Sequence, residues 1–247
     1  VPLRLGWRWV LVAARSLAIL GWFLLVLAPH LAFTLMGRRD TLPPVFLRGV
    51  GWLAGLRVRT SGRAGPGRLL ILANHVSWLD ILALAGRARA AFVAHAGLAG
   101  HPFLRWLCEQ NDTVFITRDR RATVSAQVDQ VTAALARRRL VIFPEGTTGD
   151  GRSLLSFKSS LLSAAQDVQS DGSALTVQPV ALDYADAAEI AWFGAETGGR
   201  NVLRLLARTA PVRLTIRFLE PLAGAQIADR KVMASAAQAA VASALPL

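Results

Sequence analysis

Asn74, His75 and Asp80 stand in the stretch LLILANHVSWLDI, residues 69–81. An imidazole titrates near neutral pH and can take a proton from a hydroxyl. A carboxylate within reach holds the ring in one tautomer and makes it a better base. The five-residue spacing limits where the two can meet. On one straight helix, residues five apart point about 140° from each other, because each residue turns about 100°. His75 and Asp80 meet if His75 occupies a strand-to-helix turn and Asp80 lies within the helix that follows. Ser77 is the candidate N-cap of that helix. The five apolar residues before Asn74 read as a buried strand that delivers its carboxyl end to a sheet edge. The same spacing also fits a histidine and an aspartate that merely cap loops at that edge.

Two further clusters end apolar strands. Arg118 closes TVFIT, residues 113–117. Ligands of open α/β sheets gather beyond the carboxyl ends of strands, and an arginine there can clamp a phosphate through paired hydrogen bonds. Taken alone, it reads first as a solvated arginine in a basic turn. Arg120 and Arg121 read as surface charge. FPEGTTG, residues 143–149, is a turn whose backbone N–H groups can cradle an anion or a developing oxyanion. It is not a P-loop, since no lysine follows the glycines in that pattern. Glu145 could orient an acceptor or cap the next helix. His30, His95 and His101 lack metal-ligand spacing, so no metal site is expected. Trp78 and Trp106 read as packing residues and Cys108 as a helix core residue.

The elements that must position these groups alternate. Strands are expected at 69–73, 90–95, 113–117, 140–144, 176–182 and 212–218. Helices are expected at about 78–85, from 102, over 122–139, at about 201–210 and from 229. The segment LLSFKSSLLSAA reads as a helix carrying Lys158. This alternation predicts an α/β fold, a central mixed sheet flanked by helices. Two parts are expected: a membrane-associating helical motif over residues 1–60 and an α/β domain over 61–247.

The N-terminal part is almost wholly apolar from Ser16 to Met36, interrupted by Pro29 and His30. A transmembrane helix needs roughly 20 apolar residues, which this segment reaches, and Pro29 is expected to kink or end it. A second, more amphipathic helix is expected at about 44–56. Trp7 and Trp9 suit an interfacial position. An uncleaved anchor is expected rather than a secretory signal, because no small-x-small cleavage site follows. A re-entrant hairpin, a clean span and a buried core helix all fit the pattern.

The formal net charge is +12, and 53% of residues are hydrophobic. Between Arg4 and Arg68 stand ten arginines and one acidic residue, Asp40. Arginine scattered beside apolar length points to an anionic membrane surface more than to nucleic acid. No zinc-finger or recognition-helix signature is present. The single cysteine, Cys108, excludes an internal disulfide and a thiolate metal cluster.

NHVSWLD resembles the NHxxxxD block of the glycerolipid acyltransferases, which include bacterial 1-acylglycerol-3-phosphate acyltransferases. VFITR, FPEGT and VQPVAL resemble that family's second, third and fourth blocks, in order, over about residues 69–182. The apolar N-terminus is similar to the family's membrane-associating motif. The resemblance implies a glycerol-3-phosphate acyltransferase-like fold and transfer of a fatty acyl group from acyl-acyl carrier protein or acyl-CoA to a lysolipid hydroxyl. It implies no cofactor beyond that donor, and no nucleic-acid partner. It also implies work at the cytoplasmic face of a bacterial inner membrane. By the same analogy, His75 is the base and Asp80 orients it. Asn74, Glu145, Gly146, Thr147 and Lys158 bind substrate, and Arg118 holds the lipid head group.

Two positions depart from the common pattern. His95 stands where a lysine commonly follows FVA, and Thr148 where an arginine often follows EGT. Lysophosphatidic acid is the first expected acceptor. The EGTTGDG run also resembles acyltransferases that complete ornithine lipids, so lyso-ornithine lipid is the alternative. A hydrolase using water as acceptor remains open, although no G-x-S-x-G elbow supports a serine esterase. A non-enzymatic basic membrane or nucleic-acid binder is the third class.

Overall fold

The computed structural model describes residues 2–116, 124–170 and 174–246. Seven strands are described: β1 (Leu56–Ser61), β2 (Arg68–Ala73), β3 (Ala91–His95), β4 (Val114–Ile116), β5 (Leu140–Ile142), β6 (Leu175–Tyr184) and β7 (Val212–Phe218). They form one sheet in the order β1-β7-β6-β2-β5-β3-β4. Neighbours are parallel except β6 and β7, which run antiparallel. The mixed α/β fold expected from the sequence is therefore present.

β2 is apolar on both faces because both faces are covered. Leu69, Ile71 and Ala73 pack into one core with α3 (Leu79–Ala88), while Leu70 and Leu72 pack into a second core. That second core contains residues of α5 (Val124–Arg137) and α9 (Arg230–Ala244). Parallel pairing brings the carboxyl ends of β2, β5 and β6 to one rim. The reversal at β7 brings the starts of β7 and β1 to that same rim.

Helix α1 (Pro2–Leu35) continues through Pro29 rather than ending there. It lies along the domain. Val12 is buried. Arg15 donates to the carbonyls of Leu206 and Arg208, both at 2.9 Å, beyond the end of α8 (Gly198–Leu206). Trp22 donates to the Phe46 carbonyl at 3.1 Å on α2 (Pro43–Leu53). A Cβ at Gly49 would fall 2.2 Å from the Trp22 ring, so glycine is what lets α2 approach α1 this closely. Phe23 meets Phe103 and Trp106 of α4 (Pro102–Gln110) edge-on, and His30 bonds Gln110 at 2.9 Å. From Val12 to His30 is about 27 Å of helix. The opposite face exposes Leu17, Leu20, Leu24, Leu25, Leu31 and Leu35. Residues Gly6–Leu35 are long and apolar enough to cross a membrane. A helix held against a folded domain over this length offers lipid one face, as an interfacial helix does.

Several expectations shift. The sheet begins with β1, directly after the expected second helix and in a stretch where no strand was expected, and residue 60 lies inside this strand. The helix expected around Lys158 is absent. Residues 154–159 have no helical structure, and α6 (Ser163–Ser170) starts later. The reason is backbone pairing outward: Leu155 donates to Glu145, Phe157 to Gln238 and Lys158 to the Pro144 carbonyl. The N-cap residue of α3 is Trp78, not Ser77. The last helix, α9, begins as read, with the Asp229 carboxylate accepting from Lys231 and Val232.

Candidate active site

β2 ends at Ala73, and the chain turns through Asn74, His75 and Val76 into α3. Asp80 lies in the first turn of α3 and is fully buried. Its Oδ2 accepts from His75 Nδ1 at 2.8 Å and from the N–H groups of Val76 and Ser77 at 2.7 and 2.9 Å. Its Oδ1 accepts from the Tyr184 hydroxyl at 2.5 Å. Four donors thus converge on one side chain, an arrangement a carboxylate satisfies because it only accepts. Asp80 does in one step what an N-cap and an orienting residue do separately: it satisfies the turn's N–H groups and holds the imidazole. Nδ1 therefore carries the proton, which leaves the lone pair on Nε2.

Tyr184 ends β6 and is buried. Burial, and then the neighbouring Asp80 carboxylate, push its phenol well above the ordinary range, so it remains a donor. The His75 ring stacks on Phe143 at 4.0 Å between centroids, 11° from parallel, and Phe92 lies behind Phe143 at 6.2 Å. The ring is thus held at its edge by Asp80 and on its face by Phe143.

The turn after β5 grips the His75 peptide from both sides. Glu145 Oε1 accepts the His75 N–H at 2.7 Å, and Gly149 donates to the His75 carbonyl at 2.8 Å. Glu145 Oε2 accepts from Leu155 at 3.1 Å. Burial pushes the Glu145 carboxyl up to about 7, against the two N–H bonds that favour its charged form. The Asp80 and Asp150 charges contribute to that rise, less than burial does. Gly146 has φ +79°, a left-handed conformation natural to glycine, and donates to the Phe143 carbonyl at 3.0 Å.

The other predicted site residues divide. Asn74 is buried, and its amide bridges to β6: it donates to the Leu182 carbonyl at 3.1 Å and accepts from the Leu182 N–H at 2.7 Å. It sits beside His75 and fastens the end of β2. Thr147 is exposed on the turn. Lys158 is exposed, and its main-chain N–H bonds Pro144 at 2.9 Å. Arg118 lies outside the described residues. Thr148 turns its hydroxyl to the Trp192 carbonyl, and His95 Nδ1 accepts from Gly97 at 3.0 Å.

Sequence reading missed Tyr184 and the Phe143 stack. Tyr184 is the single tyrosine of the chain, two residues past the expected end of its strand. A lone phenol closing an apolar strand was the available signal.

The cleft has a volume of about 230 Å³. Its walls include His75, Glu145, Gly151, Asp183, Tyr184 and Pro246, and no arginine or lysine among the described residues. Among the described residues no cluster of histidine, cysteine and carboxylate side chains could hold a metal. The arrangement can take a proton from a hydroxyl and return it, with the imidazolium stabilised by Asp80.

A sequence family described as Acyltransferase matches residues 56–183. A lyso-ornithine lipid O-acyltransferase of Rhizobium meliloti is 41% identical over 150 residues, covering 59% of this chain and 51% of that protein, about half its length. A lyso-ornithine lipid O-acyltransferase of Brucella abortus is 32% identical over 212 residues, covering 80% of this chain and 79% of that protein. The crystal structure of the 1-acyl-sn-glycerophosphate (LPA) acyltransferase PlsC from Thermotoga maritima superposes with a TM-score of 0.73 at 18% identity. That likeness covers 98% of this chain and 95% of the other and concerns the fold.

Proposed function

The chain belongs to the acyltransferase family, and on that premise we propose that it completes a lysolipid by O-acylation, with lyso-ornithine lipid as the acceptor. Its reaction is acyl transfer to a lysolipid hydroxyl at a membrane. The donor is proposed to be a soluble acyl thioester, on acyl carrier protein or coenzyme A. The place of action is proposed as the cytoplasmic face of a bacterial inner membrane.

In the proposed mechanism, His75 Nε2 accepts the acceptor's hydroxyl proton while the oxygen attacks the thioester carbonyl. The C–O bond forms as the carbonyl becomes tetrahedral. Asp80 stabilises the imidazolium through Nδ1. Collapse breaks the C–S bond, and the proton passes from His75 to the departing sulfur. Glu145 and Phe143 act by holding the peptide and ring of His75. No acyl-enzyme is required. A hydrolase would use the same base, so product analysis for free fatty acid separates the two.

One observation carries the choice of acceptor. No cation lines the cleft among the described residues, whereas Asp183 and Glu145 do. Both carboxylates are already engaged, Asp183 by Arg217 and Glu145 by two backbone N–H groups, so the reading rests on the cleft having no described cation, which a phosphomonoester calls for and an ornithine head group does not. The two positions where the family commonly has cations support this reading. Thr148 and His95 are both engaged within the chain. Lysophosphatidic acid, first in the sequence analysis, has the weaker support, and both relatives described above carry the lyso-ornithine name.

The test is a side-by-side acceptor assay with the purified chain in lipid discs and one acyl thioester. The expected product is the diacyl ornithine lipid, formed at least tenfold faster than phosphatidic acid, about 1.4 kcal/mol of discrimination. Preferential acylation of lysophosphatidic acid would overturn the acceptor assignment.

A further inference from the structure

A larger groove of about 610 Å³ opens on the same rim as the catalytic cleft. The two share Asp183 and Ala185 in their walls. The groove is lined by Arg48 of α2, Arg57 and Arg59 of β1, Arg87 of α3 and Arg213 of β7. Arg57 and Arg213 are register partners across the β1–β7 pair. Like charges placed opposite each other in a sheet destabilise it. Among the described residues, none of these five arginines forms an ion pair with a carboxylate. The one acidic wall residue, Asp183, is engaged by Arg217 at 2.7 Å. Burial, and then the nearby Arg48, lower the Arg87 guanidinium from its ordinary range.

Part of the groove is pre-organised. Arg57 donates to the Trp52 and Leu56 carbonyls at 2.9 and 3.0 Å and lies 5.1 Å over the Trp52 ring. Arg87 donates to the Val58 carbonyl on the free edge of β1 at 3.1 Å. The exposed side chains of Arg59 and Arg213 point out from the same strand pair without such ties among the described hydrogen bonds. Concentrated positive charge that no side chain neutralises is completed by a ligand with phosphate groups.

We propose that this groove binds the phosphate of the acyl donor's 4′-phosphopantetheine arm, with the thioester reaching past Asp183 and Ala185 to His75. The inference rests on the acyl-transfer reading above. The ligand chemistry is common to acyl-CoA and to acyl-acyl carrier protein. The cleft, which no cation lines among the described residues, then receives the acceptor, and the arginine groove the donor.

The test uses the full chain in discs of zwitterionic lipid and the variant Arg59→Glu/Arg213→Glu, with Arg59→Gln/Arg213→Gln as the milder pair. Calorimetry measures binding of desulfo-CoA and, separately, of the unacylated holo-carrier protein, neither of which needs turnover. Wild type is expected to bind one of the two, which names the source. The charge-reversed variant should bind it about tenfold or more weakly. In acyl-transfer assays the donor KM should rise by a similar factor while the acceptor KM stays within twofold, and the glutamine pair should shift the donor KM in the same direction. Failure of wild type to bind either probe would overturn the proposal. So would an unchanged donor KM, or a rise confined to the acceptor KM. If wild type binds a probe through these arginines but acylates no lysolipid, the groove assignment stands and the proposed reaction falls.

Discussion

The cleft at His75 and the arginine groove beside it share one rim of the sheet and two wall residues, yet they handle charge in opposite ways. In the cleft, every oxygen of Asp80 and Glu145 has a donor, and the imidazole is held by hydrogen bonding and stacking. In the groove, five arginines gather without an ion-pair partner among the described residues. The two regions divide the labour. Groups that must do proton transfer are satisfied before substrate arrives, because reorganisation during reaction costs rate. Groups that only bind can remain unneutralised and be completed by the ligand.

The largest break in that comparison comes at Asp80. Asp80→Asn puts an amide donor among four groups that donate, and removes the charge opposite His75. Turnover should fall about 10³- to 10⁴-fold, by analogy with loss of an orienting carboxylate elsewhere, and thermal stability should fall with it. Activity and melting measured on the same preparation check both. Tyr184→Phe removes one donor of the four. It should cost about 1–3 kcal/mol in stability and about tenfold in activity, read by denaturation and steady-state kinetics.

Glu145 supplies a pH signature that belongs to the cleft. Its folded-state value near 7 lies above the ordinary glutamate range, so the fold binds this proton more tightly than the unfolded chain does. Its contribution to stability is full below the unfolded value and is lost as pH rises through about 7. Wild type should lose about 1–3 kcal/mol from this group between pH 5 and 8. Glu145→Gln should flatten that part of the melting-temperature profile. The smallest effect sharpens the contrast between the two regions. Thr148→Arg with His95→Lys places cations at the two positions where the sequence departs from the acyltransferase pattern it resembles, and should raise lysophosphatidic acid use by about two- to fivefold, roughly 0.4–1 kcal/mol. Relative rates with the two acceptors measure it.

How much of this was legible in the sequence depended on whether a residue's partners lie nearby in the chain. The strand before His75, the reach of Asp80 back to it and the FPEGT turn were readable, because apolar runs ending in polar residues announce strand ends. Tyr184 was not, since its contact with Asp80 spans 104 residues and depends on β6 lying beside β2. β1 was missed although LRVRTS alternates apolar residues with arginine, the period of a half-buried strand, because the run is short and follows directly on the apolar helical segment before it. The segment around Lys158 misled for the opposite reason. Its serine and leucine spacing suits a helix, but Glu145, Pro144 and Gln238 take its backbone N–H groups. The arginine groove is assembled from four separate elements, so composition showed its charge but not its place. Pro29 failed to end α1, which is fastened to the domain on both sides of that proline.

The central claim is that His75, oriented by Asp80, is the base for acyl transfer. The most direct measurement compares wild type with folded His75→Ala, using an acyl thioester and lyso-ornithine lipid and quantifying diacyl product. The account predicts a loss of about 10²- to 10⁴-fold in a variant that still unfolds cooperatively, its stability lowered by about the 1–3 kcal/mol that loss of one donor to Asp80 costs. Full activity in the folded variant would contradict it.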